Sequence, residues 1–440
     1  MGLTNLRKQH AVGQGFFHSA ELLEKGELRL RYVYDCGAMS KYAGPRSDRI
    51  KEYLHNAGAR SKLDLLFISH VHADHLNGLP QLLHATTGLH VDTIVLPYFN
   101  LMERLIGYAR EAIEDPAMAR DEFYRDFVMN PIEALSGFRP RQILLVQSAG
   151  DTSPGAPSFD DGPEGPVPDI AGLPIDGKGV TWKPIGRGAF YNGEQGAVGT
   201  PASETVVVTV ADSFGIAVPS SATGEGFWLL SPFIDPAVER HRGIFKAALL
   251  KALNHGQLRK DQIKKANFDA WLENSENLKD LVVNKVSDLV QAFSAVEKNL
   301  NISSMCLFSG PLPDGEARQR YHVGRFGKWG AKSESGIGWL ATGDSDLKAK
   351  KRRVAFLRHY SKVLHDVATI TLPHHGSDSN FDAELLTSVG PSFCVVAADT
   401  VGKWRHPGTE IVQAVASYGC FVSVVTSKEA SEVEERGKNY

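Results

Sequence analysis

Cysteine is scarce and scattered in this chain. Cys36, Cys306, Cys394 and Cys420 are the only four among 440 residues, too far apart in sequence to read as a disulfide framework. Their apolar, strand-like contexts predict buried free thiols in a reducing compartment. Long apolar runs are missing too. No stretch approaches the roughly 20 residues of a spanning helix, and no N-terminal run resembles a signal peptide. A cytoplasmic protein with no membrane partner is expected. A strong charge bias is also lacking: the net charge of −3 announces neither nucleic acid nor a membrane surface, so any basic surface must be local. Internal repeats are absent. What remains, 42% hydrophobic and 22% charged residues, is the composition of an ordinary globular protein. Its 440 residues are too many for one compact core without large insertions.

Against that background one stretch stands out. Ile68-Ser69-His70-Val71-His72-Ala73-Asp74-His75 places four potential metal ligands within six residues. It follows Leu63-Asp64-Leu65-Leu66-Phe67-Ile68, which reads as a buried strand, and precedes Leu76-Asn77-Gly78-Leu79-Pro80, a turn into helix. A strand-to-helix junction is the usual place for a site in an α/β protein. His70 and His72 are two apart, so on an extended segment they point the same way. Asp74 and His75 follow as the chain turns and can reach a second point nearby. Imidazole with carboxylate suits zinc, manganese or iron, at a spacing for two ions side by side.

Residues 11–37 are expected to form a hairpin, with strands at 11–17 and 28–34, the second ending in Asp35-Cys36-Gly37. Asp35 is either a loop cap or a partner of the ligand histidines. A helix at 46–58, the ligand strand and a strand at 91–96 follow. Residues 100–135 read as amphipathic helix with Met102, Leu105, Ile106, Ala109 and Ile113 on one face. Strands return at 142–146, 205–210 and 226–230. Between them, the Pro/Gly/Asp-rich stretch 151–179 has no periodicity and reads as a loop or linker, and 236–293 is mostly helical.

The helical stretches 100–140 and 232–298 are taken as insertions into a parent α/β unit. The chain then divides into 1–99, an insertion region at 100–300 that keeps some core strands, and 301–440. The insertion covers the site, binds a partner protein, self-associates, or simply packs. In the last third, strands at 336–342, 367–372, 393–398 and 421–425 are expected. The first three lead into Gly343-Asp344, Pro373-His374-His375-Gly376-Ser377, and a loop carrying Lys403, Trp404, Arg405, His406 and Pro407. A basic helix is expected over 348–365, and the tail after 427 is expected to fray.

With these landmarks in hand, the sequence resembles a metallo-β-lactamase-fold hydrolase and, more narrowly, the hydrolase domains of ComEC-type competence (DNA-uptake) proteins. The matching landmarks fall in family order: Val12-Gly13-Gln14-Gly15, Asp35-Cys36-Gly37, the His70 to His75 motif, Asn301 to Ser304, Thr342-Gly343-Asp344, His374-His375-Gly376-Ser377 and His406-Pro407. They cover roughly half of the chain, with 100–300 largely outside. The resemblance implies an α/β protein, an αβ/βα four-layer sandwich with large, mainly helical insertions and a pair of divalent ions, zinc or manganese, at one edge. It implies His70 and His72 on one ion, Asp74, His75 and His374 on the other, and Asp344 bridging them. Two departures stand against the pattern. Phe16 occupies a position where the family usually carries Asp. The further histidine that many relatives place on the first ion has no clear counterpart, and His84, His90, His241, His255 and His322 are candidates only by elimination. One of the two sites is therefore expected to be weak.

In that frame Asp74 is the natural group to orient a water and take its proton, and His375 or His406 to protonate the leaving oxygen. His375 reads equally as a hydrogen-bonding support of the ligands. Ser377 donates to a phosphate oxygen or caps the next turn. Two basic stretches accompany the ligands: Arg318, Arg320, Arg325, Lys328 and Lys332 with Tyr321, Phe326 and Trp329, then Lys348, Lys350, Lys351, Arg352, Arg353 and Arg358. Cations interleaved with aromatics suit single-stranded nucleic acid, although a charge run alone is usually a solvated helix face. Arg352, Arg353, Lys403 and Arg405 are the substrate-binding candidates. The expected function is a metal-dependent phosphodiesterase, a DNA nuclease. The alternatives are a small phosphoester or ester hydrolase, and a binding or regulatory module without turnover.

Overall fold

The computed structural model describes residues 2–58, 61–150, 153–158, 170–174, 179–186, 196–198, 205–236, 239–258, 260–296, 303–313, 321–326, 332–333, 336–400 and 405–439. Asn301, Arg318, Arg320, Lys328, Trp329, Lys403 and Trp404 lie outside them, as do the side chains of Tyr321, His322, Arg325, Phe326 and Lys332. The chain is mixed α/β and is built on two sheets. The larger has eleven strands, in spatial order Lys332–Ser333, Tyr321–Phe326, Val433–Asn439, Leu3–Gln9, Phe17–Glu24, Glu27–Cys36, Lys62–Phe67, His90–Pro97, Gln142–Gln147, Thr205–Ala211 and Gly196–Val198. The smaller has eight: Phe421–Val425, Phe393–Ala397, Val367–Thr371, Gly338–Ala341, Ser304–Pro311, Gly226–Asp235, Gly215–Pro219 and Lys183–Ile185. Among the described residues no helix is long and apolar enough to cross a membrane.

Strand pleating sorts the apolar residues into separate cores, because successive side chains leave a strand on opposite faces. Leu66 and Ile68 join one cluster with helical residues such as Ile50, Leu105, Phe127, Phe245, Leu281 and Leu289. Leu65 and Phe67 join another that also holds Trp228, Met305, Leu307 and Trp339 of the smaller sheet. The smaller sheet's other face, with Leu340, Ile370 and Cys394, is covered by Phe356, Tyr360, Leu385, Ile411 and Val415. A strand covered on both faces reads as a continuous apolar run, which is why Leu63 to Ile68 shows no polar/apolar alternation.

Several elements depart from the pattern read in the sequence. Residues 10–16 are a loop, and the hairpin partners are Phe17–Glu24 and Glu27–Cys36. The tail does not fray: Val433–Asn439 pairs with both Leu3–Gln9 and Tyr321–Phe326, and the buried Arg7–Glu435 ion pair (2.6 Å) ties it down. Charged residues hid this strand, since hydropathy carries no record of a long-range ion pair. Residues 232–235 are the end of a strand, and helix begins only at Glu239–Leu253. The helix Leu101–Glu114 is capped by Asn100, which accepts from Glu103 N at 3.0 Å. Its buried face carries Tyr108 with Leu105, Ile106 and Ala109, while Ile113 is 49% exposed. The thiols are free and three are buried; Cys394 and Cys420, distant in sequence, lie 3.4 Å apart.

Parallel strands set the site. Lys62–Phe67 in the larger sheet, and Gly338–Ala341 and Val367–Thr371 in the smaller, each run into one of the ligand-bearing turns, and the neighbouring Phe393–Ala397 brings the Ala397 carbonyl to His375. The two sheets meet there through backbone. Met305 N donates to Ser69 O at 2.8 Å, and Tyr34 Oη donates to Met305 O at 2.5 Å.

Candidate metal centre

Asp35 organises the histidine turn. Fully buried, with a left-handed backbone (φ 57°), it accepts from Ser69 N and Ser69 Oγ, both at 2.6 Å, and from His75 Nδ1 at 2.8 Å. Of its two readings from sequence, partner of the ligand histidines is the one the geometry gives. The bonds also set the tautomers. Asp35 is acceptor-only and takes the single Ser69 hydroxyl proton. Ser69 Oγ, 2.8 Å from His70 Nδ1, must then accept from that nitrogen. His375 Nδ1 donates to Ala397 O at 2.8 Å. In its neutral form each of His70, His75 and His375 therefore carries its lone pair on Nε2.

These lone pairs, and those of their neighbours, converge on Asp344. Its Oδ2 lies 3.3 Å from His70 Nε2, 4.0 Å from His72 Nδ1 and 3.7 Å from His374 Nε2. Its Oδ1 lies 3.7 Å from His75 Nε2 and 3.9 Å from His375 Nε2. Asp74 Oδ2 completes this second side, 3.3 Å from His375 Nε2 and 3.9 Å from His75 Nε2. His375, expected as an acid or a hydrogen-bonding support, stands with Asp74 and His75, while His374, expected there, lies beside the other oxygen of Asp344. The backbone is the reason. His374, His375 and Gly376 are all left-handed (φ 49°, 55° and 75°), and the Ala397 carbonyl aims the His375 ring inward. Such a conformation costs of order 1–3 kcal/mol per non-glycine residue and concentrates at functional sites.

The residues fit a cation. His70, His75 and Asp344, then His70, His72 and Asp74, then Asp74, His75 and His375, each form a group able to hold a metal ion. Nε2 of His70 is buried without a hydrogen-bond partner, and His75 Nε2 and His375 Nε2 face each other at 3.4 Å. Buried lone pairs without donors are unfavourable unless a positive charge is supplied. The electrostatics point the same way. Against the opposing effect of burial, Asp74 and Asp35 push His75 up to about 9, and Asp74 and Asp344 raise His375. Against burial again, His75 and His375 hold Asp74 below the usual carboxylate range, and His374 and His70 do the same for Asp344. Burial lowers His72, and lowers His374 to about 3 despite Asp344, so both stay neutral and able to ligate. Among the described residues His84, His90, His241 and His255, and likewise His374, belong to none of the metal-capable groups.

Close backbone approach holds the cluster together. A Cβ on Gly37 would meet the Asp74 carbonyl group at 2.6 Å, and one on Gly15 (φ 146°) would meet Ala38 Cα at 2.4 Å. Phe16, between them, donates its N–H to Asp74 O (3.2 Å) and lies parallel to the His75 ring at 6.0 Å.

The other expected site residues divide. His406 is near: His375 and Asp344 both act on it, and burial followed by His375 lowers it to about 4. Gly408 N donates to Gly376 O at 2.8 Å, binding that loop to the histidine turn. Ser377 Oγ accepts from Ser379 N at 3.3 Å, which is the capping role. Arg405 is exposed. Arg352 and Arg353 are engaged internally. Arg352 pairs with Asp235 at 2.7 Å. The buried Arg353 pairs with Glu384 and donates to the carbonyls of Leu347 and Lys348.

Sequence reading missed two residues, both on the helix Leu101–Glu114. Arg110 NH2 lies 3.5 Å from His374 Nε2, while its Nε donates to Glu114 Oε1 at 2.9 Å. Glu111 Oε2 accepts from Ala73 N at 3.2 Å, inside the ligand turn. The only sequence trace of either was an i,i+4 Arg–Glu pair, a common surface motif. No protein-family model matches the chain, and no curated protein matches it.

Proposed function

We propose that the chain is a cytoplasmic, metal-dependent phosphodiesterase with DNA as its substrate. The observation that carries this reading is the gathering of His70, His72 and His374 beside one oxygen of Asp344 and of His75, His375 and Asp74 on the side of the other. These residues would hold two divalent cations, zinc or manganese, since imidazole and carboxylate suit both metals. His374, once its Nε2 is released from the Arg110 contact, would supply the further histidine of the first site. Two sheets packed through a shared core, each covered by helices on its outer face, support the αβ/βα layering of a metallo-β-lactamase-like hydrolase.

When bound, the cations lower the pKa of a water and offset charge on a phosphoryl oxygen. Asp74, held ionised, orients that water and accepts its proton. Asp35 keeps His75 in the ligating tautomer, and Ser69 does so for His70. His406, neutral at pH 7, offers a hydrogen-bond donor toward the leaving oxygen. Exposed Lys348, Lys350, Lys351 and Arg358, which follow Asp344 in the chain, favour a polyanionic substrate.

A small phosphoester is the second reading, favoured by the internal engagement of Arg352 and Arg353. Metal analysis of the purified protein, then incubation with single- and double-stranded DNA in Mn²⁺ or Zn²⁺, tests both. DNA binding that weakens steeply with salt is expected for the nuclease; turnover of small phosphodiesters alone, indifferent to salt, selects the second reading. Metal-loaded protein inert toward every phosphodiester rejects both.

A further inference from the structure

Arg110 is a cation set into a cluster that is otherwise built to receive cations. Its side chain is 15% exposed. NH2 reaches to 3.5 Å from His374 Nε2, and Nε is tethered to Glu114. A guanidinium has five donors and no acceptor, so it cannot ligate a metal, and its charge repels one nearby. Glu114 offsets that charge on the Nε side, and the NH2 group turned toward His374 is the part of the fork placed to meet an oxyanion beside the cluster.

The helix holds Arg110 in place from several sides. Glu111 accepts from Ala73 N in the ligand turn (3.2 Å). Glu103 accepts from Ser303 Oγ (3.2 Å), one residue before the strand whose Ser304 Oγ accepts from Asp344 N at 3.0 Å. Asp115, just past the helix, accepts from Ser40 N and Oγ. The other side of the helix is locked by Leu105, Ile106, Tyr108 and Ala109 in the apolar core. A fork presented so rigidly loses little entropy on binding, and guanidinium matches tetrahedral oxyanions with paired N–H groups.

We propose that Arg110 is an anion anchor. It donates to a non-bridging oxygen of a phosphate-like group placed beside His374 and Asp344, and so selects phosphoryl substrates over neutral esters. This rests on the phosphodiesterase reading and deepens it, because the helical segment becomes part of the substrate site.

The test compares wild type, Arg110→Met and Arg110→Lys as full-length, metal-loaded proteins. Inorganic phosphate binding is read by calorimetry and metal content by elemental analysis. Catalysis is read as kcat/KM on bis(4-nitrophenyl) phosphate and on 4-nitrophenyl acetate. Arg110→Met is expected to weaken phosphate about ten- to a hundredfold, with metal content and Tm unchanged. Arg110→Lys should fall between, and the loss in kcat/KM should be confined to the diester. Equal phosphate affinity in Arg110→Met and wild type overturns the proposal. So does a loss of metal in both variants, which would make Arg110 a support of the cluster. Phosphate binding needs no turnover. A wild type that binds phosphate through Arg110 but cleaves nothing would reject the phosphodiesterase reading and leave the anchor standing.

Discussion

Asp35→Asn changes one oxygen to an amide nitrogen with almost no change in volume, yet it should disable the metal centre from outside it. Asp35 Oδ2 now accepts from both Ser69 Oγ and His75 Nδ1. With an NH2 group in that place, His75 Nδ1–H would face another donor at 2.8 Å. The ring escapes by moving its proton to Nε2, the atom that lies 3.7 Å from Asp344 and 3.9 Å from Asp74. The lone pair meant for a cation is then occupied. If the substituted amide instead flips, its NH2 group opposes Ser69 N, and a fully buried backbone donor loses its acceptor, at about 1–3 kcal/mol. Removing such a partner of a metal-binding histidine typically lowers affinity about ten- to a hundredfold, or about 1.4–2.8 kcal/mol. Chelator competition measures the affinity, and ¹⁵N imidazole spectra of the metal-free protein, taken above the raised His75 pKa of about 9, report the tautomer directly. A variant whose affinity lies within about twofold of wild type, with His75 still protonated at Nδ1, would refute this account of the site.

Further outcomes follow from the same geometry. Asp74→Ala and His374→Ala should each lower phosphodiester turnover at least about a hundredfold while near-UV circular dichroism stays native; retained activity in either rejects its assignment. Arg353→Ala should lower stability by about 2 kcal/mol, through the stranded carbonyls of Leu347 and Lys348, and leave DNA affinity unchanged; weakened DNA binding with intact stability would reverse that conclusion. Burial holds His10 and His18 well below the ordinary imidazole range and His359 at about 3. Below pH 6.5 the unfolded chain takes up their protons and the folded chain does not, so stability falls as pH falls. Between pH 7.5 and 5.5 the loss should be about 1.4 kcal/mol for each of the three. Imidazole NMR titrations that show any of these three rings charged in the native state at pH 5.5 would refute it.

What could be read from the chain alone was whatever is local and periodic. The apolar run from Leu63 to Ile68 declares a strand covered on both faces, and the histidines after it declare a metal-binding chemistry, because hydrophobic periodicity and ligand spacing are both written within a few residues. The landmarks Asp344 and His374-His375 could be picked out as ligand types at the ends of strands. Which histidine served which side could not, since that depends on three successive left-handed residues and on the carbonyl of Ala397. Arg110 and Glu111 were invisible for a related reason. They sit on an amphipathic helix that looks ordinary, and only the packing of Leu105, Ile106 and Tyr108 into the core shared with neighbouring helices turns them toward the ligand turn. The strand Val433–Asn439 was misread because its stability comes from pairing with Leu3–Gln9 and from the Arg7–Glu435 ion pair, contacts across more than 400 residues. Local sequence set the kinds of groups available; long-range packing chose which of them meet.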